Sequence, residues 1–221
     1  VLKDVSATAI YGSRAANGVI LITSKAGIEG KPTISYNGYY SLQSFVNLPD
    51  FLDGEEFYNY KMERGAIYIT PSEQEIYESG QWTNWPDLAI RNGNSTDHNI
   101  SISGGFNNIR YYLSGGALKV TGLAINDDYL RLTSRINLDT KITNWLTIGT
   151  KTQFSYDDRG GLSPSWYHDS GVFWLNPLTK AYDSDGNLTI YPWTSDPYFP
   201  NPLQPTLAKN TDESNQIFSN F

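Results

Sequence analysis

Residues 129–140 read YLRLTSRINLDT and residues 146–156 read LTIGTKTQFSY, two stretches in which apolar and polar side chains alternate almost without a break. Leu130, Leu132, Ile136 and Leu138 fall on one side of the first stretch, and Arg131, Thr133, Arg135, Asn137 and Asp139 fall on the other. In the second, Leu146, Ile148, Phe154 and Tyr156 oppose Thr147, Lys151, Gln153 and Ser155. Successive side chains of a β-strand leave opposite faces, so both stretches read as strands with one greasy and one wet side. A water-soluble sandwich or propeller alternates in the same way. Length separates the two, because ~10–12 alternating residues match the roughly 9–11 that cross hydrocarbon on a tilt and exceed the ~5–6 of an ordinary soluble strand.

Further strands flank this pair. Residues 33–43 alternate Ile34, Tyr36, Gly38, Tyr40 and Leu42 against Thr33, Ser35, Asn37, Tyr39 and Ser41. Residues 98–105 carry Ile100 and Ile102 on one face, and residues 109–120 form a strand of ambiguous phase, interrupted by Gly115-Gly116 with Tyr111-Tyr112 offering an aromatic to each side. Gln216-Ile-Phe-Ser-Asn-Phe221 reads as the start of one more. Between residues 44 and 97 the alternation stops, and two weak helical patterns, 54–64 and 72–79, stand either side of a 65–71 break. Residues 106–108 and 141–145 are tight connections, 121–128 is intermediate, and 44–97 and 157–214 are long. Short and long ends therefore alternate, the asymmetry of an antiparallel outer-membrane barrel with short periplasmic turns and long extracellular loops.

Composition bounds the alternatives. Aromatic residues make up 14% of the 221, with 19 Gly, 11 Pro and 18% charged, a β-rich balance. The longest apolar runs, Val19-Ile-Leu-Ile22 among them, are four residues, far short of the roughly 20 of a membrane-spanning helix. No Cys is present, which excludes disulfides, thiol catalysis and Cys-ligated zinc within these residues. A net charge of −7 argues against a nucleic-acid partner, since phosphate neutralisation needs clustered Lys and Arg. Both ends read as cut, the first inside a capped helix, so the lack of a leader peptide carries no information about location.

Residues 1–23, VLKDVSATAIYGSRAANGVILIT, parse as Asp4 capping a short helix over residues 6–11, Gly12 ending it in the left-handed conformation, an Asn17-Gly18 turn, and an apolar strand over 19–23. This run resembles the end of the plug domain of SusC/RagA-type TonB-dependent outer-membrane transporters. Thr83-Asn-Trp85-Pro-Asp87, His98-Asn-Ile-Ser-Ile-Ser-Gly-Gly105, Arg110-Tyr-Tyr-Leu-Ser-Gly-Gly116, Arg131-Leu-Thr-Ser-Arg-Ile-Asn-Leu-Asp139 and Asn144-Trp-Leu-Thr-Ile-Gly149 resemble successive blocks of the same family in their usual order. Thr83-Asn84-Trp85 departs from the Thr-Asp-Trp triplet common there, which puts the role of an acidic side chain at that point in doubt.

The resemblance implies an all-β fold with minor helical insertions. It would be a partial antiparallel transmembrane β-barrel, about five to six strands of a 22-stranded barrel, preceded by the C-terminal end of a plug domain. Residues 1–30 would be that plug end and its connector, and 31–221 the N-terminal part of the barrel. Asp4, Tyr11, Gly12, Arg14, Asn17 and Gly18 would be its structural signature. It further implies a location in the cell outer membrane, bathed by its lipid, and import of oligosaccharides or peptides without enzymatic activity. A SusD-like lipoprotein would cap the mouth, and the TonB complex would supply energy through a segment outside these residues.

Side-chain chemistry nominates no catalytic centre, metal site or cofactor. His98 and His168 lie far apart in the chain; Asp157-Asp158 and Glu55-Glu56 are adjacent, not opposed as acid–base work requires. Asp183-Ser-Asp185-Gly-Asn187 resembles the opening of a calcium loop but lacks the later bidentate Glu, and reads as a turn. Aromatics gather in the two long connections instead, and Trp166, Tyr167, Trp174 and Trp193 are the candidate substrate contacts, against internal loop packing as the other reading. A secreted β-rich glycan-binding module or adhesin, with those rings as stacking platform, is the rival to the transporter.

Overall fold

The structure, a computed structural model, describes residues 12, 18–21, 23, 25–65, 68–161, 171–194, 198–208 and 210–221. Six strands form one antiparallel sheet in simple chain order: β1 (Gly30–Gln43), β2 (Gly93–Phe106), β3 (Ile109–Thr121), β4 (Asp128–Lys141), β5 (Thr147–Asp158) and β6 (Glu213–Asn220). The register is continuous. Ile34 stands opposite Ile102, Ile102 opposite Leu113, Leu113 opposite Ile136, and the neighbouring row runs Ala117, Leu132, Tyr156. Since side chains of facing residues share a face, this pairing collects the apolar rows of all the strands on one side of the sheet. It also settles the phase of β3, with Ile109, Tyr111, Leu113 and Ala117 on the apolar side and Tyr112, Ser114 and Leu118 on the polar one.

The strand edges differ in places from the alternation. β2 starts at Gly93, five positions before His98, because Gly93–Asp97 pair with Gln43–Tyr39 of β1 and with Leu118–Thr121 of β3 through backbone bonds that polar side chains do not prevent. Local chemistry makes the short ends. Asn107 takes φ of +54° in a two-residue hairpin between β2 and β3, a conformation Asn tolerates well. Between β4 and β5 the Thr143 hydroxyl accepts from the N–H of Trp145 and of Leu146, and Ile142 N–H donates to the Leu146 carbonyl at 2.9 Å. The long ends, 44–92 and 159–212, both lie at the other edge of the sheet, together with the shorter connection 122–127.

Among the described residues, helices occur only in those connections: α1 (Gly54–Glu63), α2 (Pro71–Ser79), α3 (Trp85–Ala89) and α4 (Gln204–Leu207). Reciprocal capping boxes start the first two, Asp53 with Glu56 and Thr70 with Glu73, and Gly80 ends α2 in the left-handed conformation. The sequence pattern did not contain α3. Its cap is Asn84, whose side chain accepts from Asp87 N–H and donates to the Asp87 carboxylate at 2.7 Å. The amide at this position thus does the capping work an aspartate would do.

Candidate functional site

The outward face of the sheet is greasy and uncovered. Leu132 is 41% exposed, Ile136 50% and Ile148 57%, and Ile34, Ile100, Leu113 and Ile217 are exposed as well. A soluble sheet of this size buries one face under a second layer, because leaving so much contiguous apolar surface in water is unfavourable at roughly 25 cal/mol per Å². Hydrocarbon is the solvent in which such rows are stable. Phe106 and Trp145, both exposed, mark the short-turn end of this face, where aromatic rings suit a membrane interface. Polar pairs interrupt the belt: Tyr36 and His98 meet at 2.6 Å, each satisfying the other, over the small residues Gly38 and Ala117 that the register sets beside His98, and the Thr152 and Ser219 hydroxyls meet at 2.8 Å.

The opposite face is polar and internally bonded. Asp157, 3% exposed, accepts from the Tyr129 hydroxyl at 2.5 Å, from Arg131 Nε at 2.8 Å and from the Ser155 hydroxyl at 2.8 Å. Arg135 donates to Gln153, and Asn99 donates to Asp97. At the short-turn end, the chain entering β1 crosses this same face. Asn137, 2% exposed, donates to the Lys25 carbonyl at 2.5 Å, and a side chain at Gly105 would press on the backbone of Ile28 and Glu29. Gly27 lies directly on the Tyr111 backbone, leaving no room for a Cβ. Residues 25–29 therefore lie on the polar wall, which is the inner one.

Above the wall, the connections form a small core of their own. Trp85, Ala89, Ala124, Val172, Leu175, Ala181 and Leu203 are buried together, drawn from all three long-end segments. Hydrogen bonds stitch them: Trp85 Nε1 to the Asn176 carbonyl at 3.1 Å, Thr83 N–H to the Pro177 carbonyl at 2.9 Å, and Arg91 N–H to the Leu123 carbonyl at 2.7 Å. Glu73, 2% exposed, is the hub. Its carboxylate pairs with Lys61 at 2.9 Å, accepts from Thr70 N–H at 2.8 Å and also accepts from Asn176 of the other long connection. Burial pushes its pKa up, but the Thr70 N–H, Lys61 and Asn176 outweigh this and hold it below the ordinary carboxylate value.

Of the residues nominated from sequence, Trp174 and Trp193 come together on one ring. Trp174, 57% exposed, meets Phe199 edge-on at 6.4 Å, and Trp193 stacks on Phe199 at 5.9 Å. A recess of about 290 Å³ opens nearby among Phe51, Trp82, Asp87 and Phe173, with Phe51 and Phe173 stacked at 5.4 Å. Trp166 and Tyr167 lie outside the described residues, as do His168 and Asp4, Tyr11, Arg14 and Asn17. Gly12 and Gly18 have φ of +72° and +98°, backbone that favours glycine. Asp183 folds a turn, its carboxylate accepting from the N–H of Asn187 at 2.8 Å and of Asp185 at 2.9 Å. The Asn187 bond leads the interactions that lower its pKa. Among the described residues no cluster of three or more His, Asp or Glu could hold a metal ion. Sequence reasoning passed over Glu73, Asn137, Asn176 and Asp157 as interacting residues, since Glu73 meets Asn176, Asn137 meets Lys25 and Asp157 meets Arg131 only across long stretches of chain.

No family model matches the sequence. The chain is 35% identical over 198 residues to the TonB-dependent receptor P3 of Formosa agariphila, covering 86% of this chain and 19% of that one. It is 41% identical over 139 residues to the TonB-dependent receptor SusC of Bacteroides thetaiotaomicron, covering 62% of this chain and 13% of that one. It is 31% identical over 222 residues to the receptor P26 of Formosa agariphila, covering 97% of this chain and 22% of that one. It thus spans about a fifth of P3 and P26. The RagAB peptide importer in its open-open state superposes with a TM-score of 0.68 at 24% identity, over 88% of this chain and 26% of that one. In the closed-closed state the TM-score is 0.65 at 22% identity, over 84% and 25%. These solved barrels share the fold, and the relatives are receptors rather than enzymes. A sheet greasy outside and wet inside, entered along its inner wall and matched to such receptors along most of its length, is a SusC/RagA-like TonB-dependent receptor segment of the outer membrane.

Proposed function

We propose that the whole protein imports oligosaccharides or peptides across the outer membrane, driven by TonB, with a SusD-like lipoprotein closing the extracellular mouth. Residues 1–30 serve as the end of the plug and its connector, and 31–221 as the first part of the barrel wall and its long extracellular loops. The observation that carries this reading is the seating of Lys25–Glu29 on the polar face while the apolar face stays open. A barrel closed around an inner body needs that arrangement, and a secreted adhesin has no use for an uncovered apolar belt. Trp174 and Trp193, joined through Phe199 on the loops, offer ring faces to an incoming sugar or peptide. The test is deletion of the gene in its own host, with growth measured on oligosaccharide and on peptide mixtures as sole carbon source. Loss of growth on one of the two, restored by the gene and abolished when TonB is removed, supports the proposal. Unchanged growth on both, with the protein recovered in buffer without detergent, contradicts it.

A further inference from the structure

The inner wall holds one arginine in an unusual way. Arg131 stands on the polar face of β4, three residues from its extracellular end (128 to 131). Its Nε is committed to Asp157, a carboxylate with a 4% exposed side chain that also takes the Tyr129 and Ser155 hydroxyls. The guanidinium lies 5.3 Å from the Tyr129 ring centroid, and the side chain of Arg131 is still 47% exposed. Tyr129 is thus a second partner of Arg131, through its ring and its hydroxyl. A long side chain facing a wide lumen loses rotamer entropy when it binds, and a buried carboxylate that holds Nε has already removed much of that cost while nearly half of the side chain stays exposed.

The neighbourhood extends this exposed part into a polar strip. Arg131, Thr133 and Arg135 follow one another on the same face, with Asp157, Ser155 and Gln153 facing them from β5. On the other side Thr133 faces Gly116 of β3, which faces Asn99 of β2. A Cβ at Gly116 would collide with the side chains of both Asn99 and Thr133, so the glycine lets amide and hydroxyl converge across an intervening strand. The strip ends upward in Arg131, beneath loops richer in Asp and Glu than in Lys and Arg. Such a mouth repels a polyanion, while charges on it are screened beyond about 8–10 Å in salt and do not reach a single anionic group bound at the wall.

We infer that Arg131 is a contact for a carboxylate on the imported molecule, with Asp157 as its positioning residue, so that sparsely charged acidic oligomers pass in preference to neutral ones. The inference rests on the transport reading above. A guanidinium edge matches the two oxygens of a carboxylate, and the carboxylate can come from a uronic acid or from a peptide. The strip's hydroxyl and amide groups serve the remaining polar surface of either.

The test uses the full-length receptor in its native membrane and host. Two probe mixtures, a partial hydrolysate of pectin and a tryptic digest of casein, are each supplied untreated and after methyl esterification of their carboxyls, and import is read by mass spectrometry. Wild type is expected to favour untreated over esterified oligomers at least tenfold in one mixture, which also identifies the source of the carboxylate. Arg131→Gln should remove that preference while esterified import stays within twofold. Arg131→Lys should retain part of it, and Asp157→Asn should weaken it. Heat-modifiable gel mobility checks that each variant is folded. A wild type without preference, or an equal fall of both forms in Arg131→Gln, overturns the assignment and places Arg131 against the plug. Import of neither mixture, unchanged on deleting the gene, overturns the transport reading itself.

Discussion

Replacing Ile136 by Arg in the full-length receptor puts a charge on the outward face at a height the structure defines. Ile136 lies five residues from the turn end of β4 (136 to 141), which at ~3.4 Å per residue and a tilt of about 40° sets it ~13 Å above that end. That is the middle of an apolar band about 25 Å tall, where an arginine facing lipid costs about 2–4 kcal/mol. Ile148, one residue into β5, stands only ~3 Å above the same end, so Ile148→Arg should cost about 0–1 kcal/mol. The two sites are similarly exposed, at 50% and 57%, so a difference between them reports depth and not packing. The assay is reversible unfolding of the receptor in lipid vesicles by guanidinium chloride, followed by tryptophan fluorescence. Equal costs at 136 and 148, or a cost below about 0.5 kcal/mol at 136, would refute the assignment of this face to hydrocarbon.

Further outcomes follow from the loop core and the inner wall. Because Glu73 has its pKa lowered, the native state holds the ionised form more tightly than the unfolded chain does. Its contribution to the loop core is complete above the ordinary value of 4.5 and fades as pH drops from there through the lower native value. Hydrogen exchange in α1 and α2 should accelerate over that window in wild type, beyond the intrinsic pH dependence of exchange, and the acceleration should vanish in Glu73→Gln. Lys61→Met strands the buried carboxylate and should destabilise the same segment by about 3–5 kcal/mol at neutral pH, read as loss of exchange protection confined to the long connections. Trp85→Ala removes a 2% exposed ring and leaves the Asn176 carbonyl without its indole partner, a cost of about 3–5 kcal/mol. Protection should fall in 171–181 as well as around α3, while β1 to β6 keep theirs; a loss spread over the strands would contradict a separate loop core.

Much of the wall was legible because a membrane sheet writes its faces into every second residue. β4 and β5 needed only Leu132, Ile136 and Ile148 against Arg135 and Lys151. Where both neighbours of a strand residue are polar, as in Gly93–Asp97, backbone pairing carries the strand and side chains leave no trace. The phase of β3 was hidden by Tyr111-Tyr112 and Gly115-Gly116, and only the register with Ile102 and Ile136 resolves it. The loop core was illegible for a different reason. Trp85 meets Asn176 across 91 positions and Glu73 meets Asn176 across 103, contacts that no local period can encode. Loop aromatics accordingly divide, with Trp85 spent on packing and Trp174 left open, a distinction composition does not make. The same holds for the Asp157 hub, since in sequence Asp157 is only the neighbour of Asp158 and the register alone sets it against Arg131.

The account turns on which solvent touches each face of the sheet. In the full-length receptor reconstituted into vesicles, nitroxide labels placed one at a time at Leu132, Arg135, Ile136 and Lys151 report collision with oxygen, concentrated in hydrocarbon, and with a water-soluble nickel chelate. Labels at 132 and 136 should collide with oxygen and be shielded from nickel, and labels at 135 and 151 should be oxygen-poor, with nickel reaching them wherever the inner body leaves room. Nickel access at 132 and 136 equal to or above that at 135 and 151 would contradict it.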